Sequence, residues 1–288
     1  MTAIYKKELK SYLTSMIGYL FMAFTLALFG LYFTAINLQQ GYPEIGYALQ
    51  NSAFILLIAV PVLTMRVLSE EQKNKTDQLL LTAPVKISDI ILGKYLALLT
   101  IYVIPVLIMC LYPLLLGTHG TVSYAVSYTS ILGYFLLGAA YISVGVFVSS
   151  ITESQGVAAG LCFVVLLVCY FLPDLSDYFS TSAFASFAAF TVVVLLIGLI
   201  FRLMTRNTPV SVTLMVVLEV ALILGYGLGG DSFAGLFPSL VEELSLFEKF
   251  YQFVDGIFDV RCLVYFLTVI LVFLFLTVQS LEKRRGRE

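Results

Sequence analysis

Charge is what this sequence has least of. Only 12% of its 288 residues are Asp, Glu, Lys or Arg and 60% are hydrophobic, against about a quarter charged in an ordinary soluble domain. A mean hydropathy of +0.99 makes lipid the solvent for most of the chain. The net charge of -2 argues against nucleic acid as a partner, and the charges are so unevenly spread that their distribution carries more than their total. No GxxxxGK[ST] segment is present to cradle a phosphate, and the polar stretches are too short to fold an ATPase, so the chain does not hydrolyse nucleotide by itself. His119 is the single histidine and lies in a short polar turn without a carboxylate or cysteine cluster nearby, which reads as a loop residue. The G-x-S-x-G nucleophile segment is missing as well, and an enzyme is not expected. Cys110, Cys162, Cys169 and Cys262 all fall inside apolar runs without CxxC spacing, so neither a zinc site nor a disulfide framework is indicated. The first apolar run lacks a small-x-small cleavage site, and it is expected to be a retained span in a mature chain beginning at Met1.

What is present is a series of intervals free of charge: 11–43, 45–65, 95–152, 154–173, 178–201 and 262–281, with 207–230 broken only by Glu219. About 20 residues of helix cross a bilayer core, and a charge at mid-bilayer is costly, so such intervals locate spans. The polar run "GTHGTVSYAVS" (117–127) divides the longest interval into two helices. The expected fold is all-α: a polytopic membrane helical bundle of about eight transmembrane helices, six plus an extra hairpin over 183–230, with both termini cytoplasmic. Spans are placed near 16–38, 49–67, 90–116, 128–150, 155–173, 183–203, 210–230 and 262–281. Of the 16 Lys and Arg, only Lys249 and Arg261 then fall outside, which satisfies the positive-inside rule. Six spans, with the hairpin not crossing, satisfy it equally.

Residues 2–15, "TAIYKKELKSYLTS", set Tyr5, Leu9, Tyr12 and Leu13 on one helical face and Lys6, Lys7 and Lys10 on the other. This reads either as an interfacial helix on the anionic cytoplasmic leaflet or as a plain basic flank. Within the extracytoplasmic segment 231–261, Pro238 is expected to start an amphipathic helix with Leu240, Leu244, Phe247, Tyr251 and Val254 on one face. Pro61, Pro105 and Pro113 should kink their spans. Gly133, Gly138, Ala139, Ser143 and Gly145, then Gly156 and Gly160, permit close helix approach. Glu219 is the one ionisable group near the middle of a span. It is either a functional carboxylate for an amine or a proton, or a neutral acid hydrogen-bonded to a neighbouring helix.

The long cytoplasmic loop, 66–93, alternates charges of both signs around "TDQLLLTAP". Thr76 can cap a short helix there, with Leu79, Leu80 and Ala83 on one face and Pro84 at its end; Ser88 can cap the next helix. A small apolar knob facing the cytosol marks a partner site. The run "EEQKNKTDQLLLTAPVKISDIILGKYL" resembles the loop between the second and third spans in permeases of type-2 ABC exporters. The start "YKKELKSYLTSMIGYLFMAF" is similar to the opening of the gliding-motility-type branch of that family, and "VFVSSITESQGVAAGL" (146–161) to its second cytoplasmic loop.

The resemblance implies a non-catalytic transmembrane subunit of an exporter in a bacterial cytoplasmic membrane. It would pair with a second permease copy, as homo- or heterodimer, and dock separate ATP-binding cassette subunits that bind ATP and Mg, while binding no cofactor itself. An auxiliary extracytoplasmic or membrane subunit is a further implied partner. By that carry-over Lys75, Thr76, Asp77, Gln78, Leu79 and Leu80 form the coupling helix up to Pro84, with Glu70 and Glu71 at the preceding bend, and Thr152, Glu153 and Gln155 lie in the second loop. Two departures stand out: lysine occupies 75 where the family commonly has glycine, and the hairpin 183–230 exceeds six spans. The alternatives are a stand-alone secondary transporter using Glu219, which should show inverted repeats of broken helices, and a membrane scaffold without transport.

Overall fold

The computed structural model describes residues 1–76, 85–118, 120–178, 182–205, 208–228 and 233–285, and every regular element among them is helical. In hydrocarbon a chain must satisfy its own backbone groups, and the helix does so locally. In chain order the elements are α1 (Thr2–Thr14), α2 (Met16–Phe33) running into a π-helix (Thr34–Gln39), α3 (Gly46–Thr64), α4 (Ser69–Lys73), α5 (Ile87–Met109), α6 (Tyr112–Gly117), α7 (Tyr124–Ile151) and α8 (Gln155–Tyr178). They continue as α9 (Ala183–Thr205), α10 (Thr208–Leu228), α11 (Leu236–Glu243), α12 (Leu246–Val254) and α13 (Val260–Arg285). Among the described residues, six stretches are long and apolar enough to cross a membrane: 16–39, 46–73, 87–117, 124–151, 155–172 and 260–285. The chain is an all-α polytopic membrane bundle, with α9 and α10 as a further apolar hairpin.

Two compact units divide the chain, Met1–Tyr170 with Lys249–Glu288 and Phe171–Glu248. At the centre of the first lies α7, packed on α3, α5 and α13. Its small residues let neighbours approach: Tyr102 lies against Gly138, Thr64 against Gly145 and the Phe253 ring against Gly133, each where a Cβ would overlap. Tyr102 is locked there because its hydroxyl donates to the Tyr134 carbonyl at 2.7 Å. Gly156 and Gly160 behave otherwise. A Cβ on either would meet nothing within 4 Å, and the same helix exposes Val157, Leu161, Val164 and Val168.

Several local expectations are revised. Pro61 and Pro105 lie inside α3 and α5, but Pro113 sits in the first turn of α6, after the third apolar stretch breaks at Cys110 and Leu111. An N-terminal proline sacrifices no helical hydrogen bond. α5 starts one residue before Ser88, with Lys86 as an extended N-cap, so Ser88 is inside the first turn and does not cap. The single helix expected from Pro238 resolves into α11 and α12, because the Ser245 hydroxyl accepts the Glu248 N–H at 3.2 Å and begins a new helix. The expected face is kept in part: Phe247 and Val254 are buried, but Leu240 and Leu244 are 44% and 60% exposed, and Phe250 and Phe253 join the buried side. Phe250 meets Tyr134 with ring centroids 6.3 Å apart, Phe253 meets Phe266 at 6.3 Å, and Ser130 donates to the Phe253 carbonyl at 3.2 Å.

α1 has the amphipathic arrangement read from its spacing: Lys6, Lys7 and Lys10 are exposed and Tyr12 is buried. Its apolar side lies on α5, however. Ile4 approaches Gly93, and the Tyr5 hydroxyl is 3.0 Å from Thr100 Oγ1. Ser15 is extended and separates α1 from α2, and Gly18 passes the Tyr12 carbonyl where no side chain would fit.

In the second unit α9 and α10 run antiparallel, and α11 packs on α9, with the Phe237 N–H directed at Ser186 Oγ at 3.5 Å.

Candidate functional site

The chain leaves α3 at Thr64 and makes a turn over 65–68 before α4. Four backbone donors at the start of any helix lack an intrahelical partner. Here a side chain from α7 supplies one: Ser149 Oγ accepts the N–H groups of Leu68 and Ser69 at 3.1 and 3.2 Å. One turn on, Gln72 Nε2 donates to the Ser150 carbonyl at 2.9 Å. These bonds are buried, and leaving such donors unmatched would cost about 1–3 kcal/mol each. The segment between α3 and α5 is therefore stitched to the end of α7.

Arg66 joins the same loop to α1. Its guanidinium lies 5.3 Å from the Tyr12 ring centroid, donates to Ser11 Oγ at 3.3 Å and pairs with Glu70 at 3.3 Å. Tyr12 donates its hydroxyl to the Leu63 carbonyl at 3.3 Å. Burial holds that phenol well above its usual range, with the Arg66 charge acting in the opposite sense, so Tyr12 stays a neutral donor.

The centre of the arrangement is Lys94, on the second turn of α5 and only 2% exposed. Its ammonium is 2.8 Å from Glu71 Oε1, 3.1 Å from Glu8 Oε1 and 3.0 Å from the Val67 carbonyl. An ammonium has three donors, and all three are matched, each by a different segment: α4, α1 and the turn before α4. Desolvating a charge costs several kcal/mol, and only complete pairing of this kind offsets it. Lys7 adds contacts of 3.9 Å to both Glu8 and Glu71, but its side chain is 68% exposed, and such pairs contribute little. A polar cavity of about 290 Å³ lies over the cluster, lined by Lys7, Glu8, Arg66, Glu71, Thr76 and Lys94 among others. Among the described residues no three His, Cys, Asp or Glu gather to hold a metal ion.

The expected site residues are distributed as follows. Glu70 and Glu71 turn inward to Arg66 and Lys94. Lys75 and Thr76 are exposed at the loop's edge, where the Thr76 N–H donates to the Glu71 carbonyl at 2.9 Å. Asp77, Gln78, Leu79, Leu80 and Pro84 lie outside the described residues. Thr152, Glu153 and Gln155 follow directly on Ser149 and Ser150, so the loop after α3 and the loop after α7 meet at the end of α7. Glu219 is on α10 in the other unit, with Thr191 Oγ1 donating to its Oε2 at 3.5 Å. Lys94, Glu8, Gln72 and Ser149 were not singled out from the sequence. The available signal was Lys94 itself, a cation inside a helix whose neighbours are Ile90, Ile91 and Leu98.

Lys75 is the one non-glycine residue among those described with positive φ, at 54°. This is the left-handed conformation in which a side chain costs about 1–2 kcal/mol and glycine costs nothing. Lys75→Gly is thus expected to leave stability and partner binding intact, while Lys75→Val, β-branched, disrupts the loop; thermal unfolding of the two variants separates them.

The family model described as ABC-2 family transporter protein matches residues 2–284 of the chain. No curated protein matches it in a sequence search.

Proposed function

Because the chain belongs to the ABC-2 transporter family, a membrane component of an ABC transporter, we propose that it couples ATP hydrolysis by separate ATP-binding cassette subunits to export across a bacterial cytoplasmic membrane. The observation that carries this reading is the pairing of Lys94 with Glu71 and Glu8. It makes the first cytoplasmic loop, α1 and the start of α5 one body, so a push on the loop reaches the bundle without being lost in a flexible linker. Residues 75–80, bounded by Pro84, would be the coupling element seated in the ATPase through Leu79 and Leu80, entered by the left-handed turn at Lys75, with Thr152, Glu153 and Gln155 beside it. ATP and Mg would be held by the partner, and a second permease copy would complete the translocation path. The basic stripe of Lys6, Lys7 and Lys10 would face anionic headgroups. A gliding-motility-type assignment would add an auxiliary subunit.

The test is co-expression with an ATP-binding cassette subunit from the same genome. Leu79→Asp with Leu80→Asp is expected to abolish co-purification and ATPase stimulation while the permease remains folded. An intact complex would remove the coupling-helix assignment.

A further inference from the structure

The hairpin of α9 and α10 carries a carboxyl group that the coupling account does not use. The seam between these antiparallel helices is built in three levels. At one end Met215 lies against Gly198, where a Cβ would overlap it. At the other, Phe187 and Tyr226 pack with centroids 4.8 Å apart and ring planes tilted by 33°, Tyr226 meets Phe233 at 5.7 Å, and Phe190 meets Phe237 at 5.3 Å. Between them lies Glu219. Thr191 Oγ1 donates to its Oε2 at 3.5 Å, and its Oε1, although buried, has no partner among the described residues. A buried acceptor of this kind is costly unless something donates to it. The missing partner must bring an N–H or O–H, and a positive charge matches the carboxylate best.

The surroundings narrow the class further. Glu219 itself is half-buried, and its neighbours on one side, Val216, Val220 and Ile223, are 54%, 48% and 56% exposed. An approach from that side is apolar, which suits an amphiphile and not a hydrated ion. Tyr226 lies seven residues from Glu219, two turns or roughly 10 Å along the helix, on the same face. A ligand with an ammonium at Glu219 therefore finds ring surface at the distance of a short alkyl linker. One carboxylate with one hydroxyl is too few oxygens for a metal site.

We propose that Glu219 is the ammonium subsite for a protonated amphiphilic amine, with Thr191 orienting the carboxylate and the Phe187–Tyr226 ring pair receiving the apolar part of the ligand. This rests on the reading of the chain as a permease whose hairpin is membrane-embedded, and it names the chemical class that such a permease would take. A primary or secondary ammonium is favoured over a quaternary one, since Oε1 needs a donor hydrogen.

The experiment uses the full chain with its ATPase subunit in nanodiscs and dansylcadaverine, a primary amine on an aromatic body, with neutral dansylamide as control. The blue-shifted fluorescence should saturate above that of empty nanodiscs. Glu219→Gln should weaken binding by about tenfold or more, as loss of a charged hydrogen bond requires, and should leave dansylamide unaffected. Thr191→Val, which preserves size and the seam, should weaken the amine alone to a smaller extent. Equal amine binding by wild type and Glu219→Gln, absence of saturable binding, or an equal loss for dansylamide would overturn the proposal. Co-purification of the ATPase, read from the same preparations, keeps the outcomes apart: an intact complex that binds no amine removes the amine site alone, and a missing complex removes the permease reading.

Discussion

Lys94→Met is expected to destabilise the protein by about 3–5 kcal/mol, the cost of breaking a buried ionic group by removing one partner. The substitution leaves Glu71 and Glu8 directed at the space the ammonium occupied at 2.8 and 3.1 Å. Lys7 cannot replace it, being 3.9 Å from each and largely exposed. The Val67 carbonyl loses its donor as well. The loss should appear as a lowered midpoint of thermal unfolding in detergent and as uncoupled ATPase activity in the complex. The triple variant Glu8→Gln, Glu71→Gln, Lys94→Met is the informative companion. Removing every charge together avoids stranding any of them, so it should recover most of the stability. It should not recover coupling, since three segments are then no longer tied through one atom. Recovery of both would reduce the cluster to a packing feature.

The second large effect is steric. Gly138→Leu and Gly145→Leu should each cost about 1–3 kcal/mol or more, because the centre of the bundle cannot make room. At 138 the new side chain meets Tyr102, whose ring is held by its 2.7 Å bond to the Tyr134 carbonyl. At 145 it meets Thr64, whose hydroxyl donates to the Val60 carbonyl at 2.9 Å. Gly160→Leu, in the same kind of sequence, should change stability by no more than about 0.5 kcal/mol, since nothing lies within 4 Å of a Cβ there. Unfolding midpoints of the three variants test the contrast, and a destabilised Gly160→Leu would show that α8 is covered in the assembled complex.

The fold was legible wherever one physical rule decided the outcome. Charge cannot sit unpaired in hydrocarbon, so gaps in charge located the six long apolar stretches to within a few residues, and the 3.6-residue period placed the lysines of α1 outward. What escaped depended on tertiary partners. Small residues recur at 133–145 and again at 156–160, yet only the glycines of the former group face neighbours. Ser245 ends one apolar periodicity and starts another, which a single continuous register conceals. The candidate site was half visible. Polar, proline-bounded sequence marked the loop and placed its acids at a bend, but their partners stayed hidden, because Lys94 and Glu8 are far from Glu71 along the chain and adjacent only after α1 and α5 pack together. Lysine at 75, a departure from the family pattern, turned out to occupy the conformation that glycine adopts most easily.

The central claim is that the loop, α1 and the base of α5 move as one body when ATP is bound. Spin labels at Lys6 on α1 and Lys73 on α4, both exposed, measure it directly by pulsed electron-electron distance spectroscopy on the complex with its ATPase. The account predicts a single narrow distance, unchanged between nucleotide-free and ATP-trapped states, that broadens in Lys94→Met. A wild-type distance that shifts on ATP trapping would contradict it.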